Sequence, residues 1–203
     1  MQKTFVVFLV IAMCSTVMIS SQNAKAETTL FIEDFETGYD GWSYVDGSLS
    51  FIGTQNSVVF EGTSALKMTG TIDASGAYAG NYRYALNLPV TSGTRFSFAY
   101  RFPSKNVAYV GYYLEFSTGK MGYYISLFSG SFINNSAYYL LQYRNEGTNQ
   151  WLPHSSNVYN DYRNAFGSVP SNLRITGISV MMGDPYYTHQ TQTAYFDSII
   201  VST

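Results

Sequence analysis

Carboxylates stand among apolar residues near both ends of the chain, where they could supply oxygen ligands to a hard metal ion. Residues 32–36 read IEDFE, and residues 194–201 read AYFDSIIV. Both runs have the composition of β-strands, and a closed β-sandwich often brings its first and last strands side by side. A cation bound between the two runs would tie the ends of the fold together.

The tyrosines of the middle of the chain are a second group of candidates. A pyranose presents a face of C–H bonds to an aromatic ring, and its hydroxyls need polar groups around that ring. Side chains of a strand alternate between two faces, so the predicted strands would gather Tyr rings and polar groups on one outer face. The predicted ligand-binding residues are Tyr113, Tyr124 and Tyr138 as platforms, with Arg101, Glu115, Gln142 and Arg144 around them.

The same alternation predicts the buried side chains. In 94–102 and 107–117 they are Phe96, Phe98, Tyr100, Phe102, Val110, Tyr112, Leu114 and Phe116. In 121–129 and 137–144 they are Tyr123, Ile125, Leu127, Tyr139, Leu141 and Tyr143. The alternative for the outer tyrosines is that Tyr is simply a favourable strand residue with its hydroxyl in water. Trp42 is expected in the core, whereas Trp151 either stacks on a sugar or caps the core.

Residues 1–26 have the layout of a secretory signal peptide. A basic start precedes an apolar run from Phe5 to Met13, and residues 24–26 form a small-x-small cleavage site. We therefore expect an exported chain that begins near Glu27, is secreted or periplasmic, and is not attached to a membrane once the leader is removed. The alternative is a lipoprotein acylated at Cys14.

The composition excludes several classes of function. The single cysteine lies in the leader, so disulfides and thiolate metal sites are excluded from the mature chain. Without Lys3 and Lys25, nine basic residues remain against 13 acidic ones, a net charge of −4. No run of basic residues occurs, which argues against nucleic acid and anionic membranes as partners. Few charges and 19 Tyr suit β structure that binds neutral polar ligands, and equally an ordinary exported sandwich.

Short runs rich in Val, Ile, Tyr, Phe and Thr recur between clusters of Gly, Asn, Ser and Pro, without sustained helical periodicity. This alternation is typical of an all-β sandwich or barrel, so we predict one domain over 27–203. Segment 154–170 is predicted to be a long loop with a helical turn near 159–166. The predicted strands are 29–36, 48–53, 56–60, 64–70, 82–89, 94–102, 107–117, 121–129, 137–144, 173–182 and 193–202.

Three motifs resemble a jelly-roll carbohydrate-binding module of the galactose-binding-domain-like superfamily. They are the run 34–36 with Gly41 and Trp42, the strand entry at 62–66, and the closing segment 195–199. The resemblance is strong at both ends and covers the middle only as a succession of strands. It implies a two-sheet antiparallel β-sandwich (jelly roll) that binds a polysaccharide or glycan without catalysis.

The resemblance also implies a structural calcium where the first and last strands meet. Carried over, its ligands are Glu36 and Asp197, with carbonyl oxygens near Asp34 and Ser64. Calcium takes six to eight oxygen ligands and needs neither His nor Cys. Asp34 and Glu36, two residues apart on one predicted strand, are expected to project to the same side. The alternative is that these are ordinary solvated residues at strand ends.

Two other functions remain open from the sequence. A jelly-roll polysaccharide lyase would place Arg, Gln, His and Tyr on the same sheet, but Arg144-Asn145-Glu146 matches its motifs only in letters. His154 and His189 both fall in predicted loops, which gives little support to acid–base catalysis. An exported structural or adhesive domain without sugar specificity predicts the same fold, and retention on insoluble polysaccharides would distinguish it.

Overall fold

The computed structural model describes residues 27–39, 42, 49–71, 86–103, 109–127, 136–143, 147–183 and 191–203. The predicted leader therefore lies outside the described residues. Within the described part of the chain, no helix is long and apolar enough to cross a membrane. The elements in chain order are β1 (Thr29–Glu33), β2 (Leu49–Gln55), β3 (Ala65–Thr71), β4 (Leu88–Pro89), β5 (Arg95–Arg101), β6 (Tyr109–Phe116), β7 (Met121–Leu127), β8 (Tyr138–Tyr143), β9 (Leu152–Asn157), α1 (Val158–Phe166), β10 (Arg174–Gly183) and β11 (Thr191–Ser202).

Two sheets enclose the main core, as the all-β sandwich prediction requires. The six-stranded sheet has the order β2-β3-β11-β5-β9, with β1 also paired to β11. The five-stranded sheet has the order β4-β10-β6-β7-β8. The pairs are antiparallel except β7–β8, which is parallel and departs from the all-antiparallel prediction. Because β1 pairs with β11, the predicted meeting of the first and last strands is confirmed.

Inward-facing aromatic and aliphatic side chains of both sheets form the main core, and the predicted alternation holds for β5, β6 and β8. The four aromatic residues of 96–102 and the four apolar residues of 110–116 are all buried there. Tyr139 is buried, with Leu141 and Tyr143 packed against the core. Trp42 is 7 % exposed and donates its indole N–H to Glu33 at 3.0 Å, which confirms its core position.

The predicted facing of β7 is wrong. Tyr124 is opposite the core residue Tyr112 and is 0 % exposed, so it points inward. Tyr123 and Ile125 consequently face outward, where they belong to a second apolar cluster. Both faces of β7 contact apolar neighbours, so hydrophobicity alone does not identify the inner one.

Three further segments differ from the sequence-based prediction. Strand β1 ends at Glu33, and Phe35 has a φ of 58°, so Asp34 and Glu36 lie in a turn and not on one strand. Residues 56–60 form bends instead of a strand. Segment 154–170 contains most of β9, an edge strand, followed by α1, which includes the predicted helical turn. Asn157 caps this helix by accepting the N–H of Asn160 at 2.8 Å.

Candidate functional site

The outer face of the five-stranded sheet brings together side chains from β10, β6, β7 and β8. The strand register places these residues in three parallel rows across the sheet. The rows are Gly177–Glu115–Met121–Tyr138, then Ser179–Tyr113–Tyr123–Leu140, then Met181–Gly111–Ile125–Gln142. We call the group Glu115, Tyr113, Tyr123 and Tyr138 the tyrosine face.

The three rings of the tyrosine face contact one another in sequence. The centroids of Tyr113 and Tyr123 are 5.4 Å apart, and those of Tyr123 and Tyr138 are 5.5 Å apart with the planes nearly perpendicular. Tyr113 is only 8 % exposed, while Tyr123 and Tyr138 are more accessible to solvent. The accessible rings are therefore Tyr123 and Tyr138, and Tyr113 supports them from the neighbouring strand.

Glu115 adds a carboxylate at the edge of these rings. Its side chain lies over Gly177, where a Cβ atom would be 3.1 Å from the nearest carboxylate oxygen. A larger residue at this position of β10 would crowd the carboxylate. The glycine thus allows a hydrogen-bond acceptor to lie low against the sheet, close to the row of tyrosines.

A second group of side chains on this outer face is apolar and buried. Tyr109, Ile125 and Met181 form the second cluster with Tyr113. The Tyr109 ring covers Gly183, since a Cβ on that glycine would overlap the ring. The more accessible portion of the four named strands is therefore the end that carries Glu115, Tyr123 and Tyr138.

The structure brings together three of the predicted ligand-binding residues, Tyr113, Glu115 and Tyr138. Gln142 occupies the register position opposite Ile125, and Arg144 lies outside the described residues. Tyr123, which the alternation argument assigned to the core, joins the site instead. Its signal in the sequence was its adjacency to Tyr124, because one of two neighbouring tyrosines on a strand must face outward.

The prediction that Tyr124 is a platform for a sugar is wrong, because its ring is buried inside the sandwich. Its hydroxyl lies 2.6 Å from that of Tyr139 and donates to the Asp161 carboxylate at 3.3 Å. Burial raises the pKa of the Tyr124 phenol well above its ordinary value. The residue therefore belongs to a polar network inside the sandwich.

Arg101 and Trp151 are also displaced from the predicted site. Arg101 lies on β5 of the six-stranded sheet, where its guanidinium donates to Asn149 at 2.6 Å. Trp151 precedes β9 of the same sheet, and its ring centroid is 5.7 Å from that of Phe60. Neither strand belongs to the sheet that carries the tyrosine face, so these two residues cannot surround its rings.

Two of the predicted metal ligands, Asp34 and Glu36, line a small cavity of about 190 Å³ beside the β1–β11 pair, together with Glu61. Glu36 accepts hydrogen bonds from the backbone N–H groups of Thr63 at 2.8 Å and Ser64 at 2.9 Å. The Thr63 hydroxyl and these N–H groups lower the pKa of Glu36.

Asp197 is the predicted ligand from the last strand. It is 0 % exposed and accepts the N–H groups of Ser198 at 2.7 Å and Phe60 at 3.0 Å. Burial raises its pKa to about 6 despite these bonds. Among the described residues, no group of three or more His, Cys, Asp or Glu side chains is placed to hold a metal ion. Carboxylate oxygens are suitable ligands for calcium. The carboxylates of Glu36 and Asp197, however, already accept hydrogen bonds from backbone N–H groups.

His154 lies on β9 and not in a loop. Its ring stacks on Tyr143 with centroids 3.7 Å apart, and its Nε2 is 3.2 Å from the Tyr100 hydroxyl. These neighbours face the interior of the sandwich, away from the tyrosine face. His189 lies outside the described residues.

The fold is similar to that of known carbohydrate-binding modules. The N-terminal endo-1,4-β-D-xylanase 10B of Clostridium thermocellum, solved as CBM22-1 and GH10 modules with xylohexaose, matches with a TM-score of 0.51 and 11 % identity. The match covers 87 % of this chain and 29 % of that chain. The C-terminal family 22 carbohydrate-binding module of the same organism's Xyn10B matches at 13 % identity and a TM-score of 0.48, covering 87 % and 93 %. The match to the xylanase modules confirms the predicted β-sandwich (jelly-roll) fold.

Other comparisons carry less information about function. The endo-β-1,4-glucuronan lyase of the fungus Trichoderma reesei matches at 13 % identity and a TM-score of 0.45, covering 87 % of this chain and 96 % of that chain. A family model described as "Protein of unknown function (DUF3047)" matches residues 122–200. Among curated proteins, none matches this chain.

Proposed function

We propose that this chain is an exported, non-catalytic module that binds polysaccharide through the tyrosine face. The observation that carries the proposal is the series of three Tyr rings on adjacent strands, in which Tyr123 contacts both Tyr113 and Tyr138, with Glu115 on the same face. The xylohexaose bound by the similar xylanase modules supports a β-linked oligosaccharide as the first ligand to test.

The geometry suits recognition of a sugar without chemical change. Tyr123 and Tyr138 offer ring surface to the C–H face of a pyranose, and Glu115 accepts hydrogen bonds from its hydroxyls. The rings are held by a paired sheet and by each other, so little side-chain entropy is lost when a ligand binds.

The test is titration calorimetry of the mature chain with xylohexaose and with other neutral oligosaccharides of similar length. We expect Tyr123→Ala and Tyr138→Ala each to weaken binding by about tenfold, because one stacking contact of roughly 1.4 kcal/mol is lost. Tyr159→Ala is the matched control, since Tyr159 is a partly exposed aromatic residue on α1, outside both sheets. Thermal melts of all variants verify that each one folds.

Two results would contradict this placement. One is wild-type affinity in both Tyr123→Ala and Tyr138→Ala, and the other is an equal loss of affinity in the control Tyr159→Ala. If no neutral glycan binds the wild-type chain at all, the structural or adhesive alternative is favoured.

We also infer that a structural calcium ion binds beside the β1–β11 pair. The cavity there is lined by Asp34, Glu36 and Glu61, and the buried Asp197 carboxylate lies on the adjoining strand. These oxygen ligands match the hard-cation chemistry of calcium. Binding would require Glu36 or Asp197 to exchange some of its backbone N–H partners for the ion.

A further inference from the structure

Five strands of the six-stranded sheet carry more cationic than anionic side chains. The whole sequence has a formal net charge of −2. Strands β2, β3, β5, β9 and β11 nevertheless carry three cationic side chains, Lys67, Arg95 and Arg101. Their one carboxylate is Asp197, which is 0 % exposed. These five strands therefore present positive charge to solvent. The sixth strand, β1, carries the partly exposed Glu33, and the carboxylates of Asp34, Glu36 and Glu61 line the cavity beside the β1–β11 pair.

Aromatic side chains alternate with the cations across this face. One register row runs Gly53–Lys67–Tyr195–Arg101 over β2, β3, β11 and β5. Its members point outward because the residues that flank them on the strands, including Leu66, Phe196 and Tyr100, are buried in the main core. Lys67, Tyr195 and Arg101 are each partly exposed.

Two exposed aromatic rings extend the row at the β2 edge. Phe51 is 45 % exposed and Tyr39 is 38 % exposed. Both rings lie over Gly53, where a Cβ atom would be 3.2 Å from the Phe51 ring and 3.6 Å from the Tyr39 ring. We call Tyr39, Phe51, Lys67, Tyr195 and Arg101 the basic aromatic band.

Within the described parts of the chain, neither cation of the band is paired with a carboxylate. The Lys67 ammonium lies 5.6 Å from the centroid of the Phe51 ring, a cation–π contact. One guanidinium nitrogen of Arg101 donates to the neutral Asn149 amide, while its Nε is buried without a hydrogen-bond partner. Asn149 thus fixes the Arg101 side chain and leaves a cation that can pair with an anion.

The spacing of the band suits a polymer. Lys67 and Arg101 lie on β3 and β5, on either side of Tyr195 on β11, so two strand spacings of about 4.8 Å separate them. Hydroxyls flank the band in the adjoining rows, where Thr69 and Thr193 are 3.1 Å apart. A chain crossing the strands would meet ring, cation, ring and cation in succession.

We propose that the basic aromatic band binds an acidic polysaccharide of the uronate class. The aromatic rings take the C–H faces of the sugars, and Lys67 and Arg101 pair with the carboxylates. This second site lies on the opposite sheet from the tyrosine face and does not depend on it.

The experiment compares polygalacturonate with its fully methyl-esterified form, which has the same backbone without the charge. Affinity gel electrophoresis and calorimetry of the mature chain give the two affinities at low and high salt. We expect binding of polygalacturonate, loss of that binding on esterification, and weaker binding as salt rises. The double variant Lys67→Gln/Arg101→Gln is expected to bind polygalacturonate about tenfold more weakly than the wild-type chain.

The matched control is Lys120→Gln/Arg163→Gln, which removes the same charge near and on α1. Thermal melts of both double variants check that they fold, and Lys67→Arg keeps the charge and is expected to bind. The proposal is overturned if polygalacturonate and its ester bind equally, if the control loses as much affinity as the band variant, or if wild type binds neither polymer.

Discussion

At the scale of single residues, the adjacent tyrosines of β7 have different tasks. Tyr123 belongs to the tyrosine face, whereas the Tyr124 hydroxyl is 2.6 Å from the Tyr139 hydroxyl inside the sandwich. The sequence predicts that one of the two is buried but not which one. In the sequence, Ile125 and Leu127 share a face of the strand with Tyr123, which predicts that this face is buried in the core. In the structure that face points outward, and Ile125 is buried there in the second apolar cluster.

Replacing Tyr124 by Phe removes its hydroxyl from the buried network. The expected cost is about 1–3 kcal/mol of unfolding free energy, because Tyr139 and Asp161 lose a hydrogen-bond partner in a buried environment. Chemical denaturation measures this loss. Tyr159→Phe is the control, since Tyr159 is partly buried on α1 and its change is expected to stay within about 0.5 kcal/mol. Equal stability of the two variants would contradict the role given to the buried network.

At the scale of elements, strand facing is predictable where only one face is apolar. Strand β5 alternates Phe and Tyr with Arg and Ser, and its four predicted core aromatics are all buried. Strand β9 has the sequence LPHSSN, without the apolar alternation of a strand, and its position comes from pairing with β5. The sequence also could not predict which strands share a sheet. Arg101 lies on β5, which alternates like β6 but belongs to the other sheet, so it is absent from the tyrosine face.

The hairpin of β6 and β7 depends on a glycine that packs against the opposite backbone. At Gly111, with a φ of 152°, a Cβ would lie 2.2 Å from the carbonyl oxygen of Tyr124. Gly111→Ala is therefore expected to cost about 3 kcal/mol or more, measured by thermal and chemical unfolding.

Gly119, in the turn of the same hairpin, separates the two causes of that cost. It has a φ of 75°, but a Cβ added to this glycine would have no neighbouring atom within 4 Å. Gly119→Ala is expected to cost only about 1–2 kcal/mol, because it adds backbone strain without a clash. If Gly111→Ala is as stable as Gly119→Ala, the close packing of Gly111 against the Tyr124 backbone is contradicted.

At the scale of the whole molecule, the motifs at the two ends of the chain predicted how the sandwich closes. Glu36 and Asp197 lie near the β1–β11 pair, and both accept backbone hydrogen bonds from the segment 60–64. The sequence could not predict these hydrogen bonds, because they depend on the turn that Phe35 makes after β1.

Removing calcium tests the proposed ion at this junction. We expect a chelator to lower the melting temperature of the mature chain by several degrees, because a ligand that binds only the folded state stabilises it. Glu36→Gln is expected to melt at the lower temperature with or without chelator. An unchanged melting temperature, together with no metal in elemental analysis, would contradict calcium binding. The carboxylates of Glu36 and Asp197 would then serve only as acceptors of backbone hydrogen bonds.

The central position of β11 has a consequence for the order of folding. This strand pairs with β1, β3 and β5, so the last element of the chain joins strands from its first half into one sheet. Contacts so distant in sequence must pay the entropy of closing long loops before they stabilise anything, which makes folding slow. A growing chain therefore remains without its larger sheet until β11 has been synthesised, and a truncation before residue 191 leaves β3 and β5 without the strand that joins them.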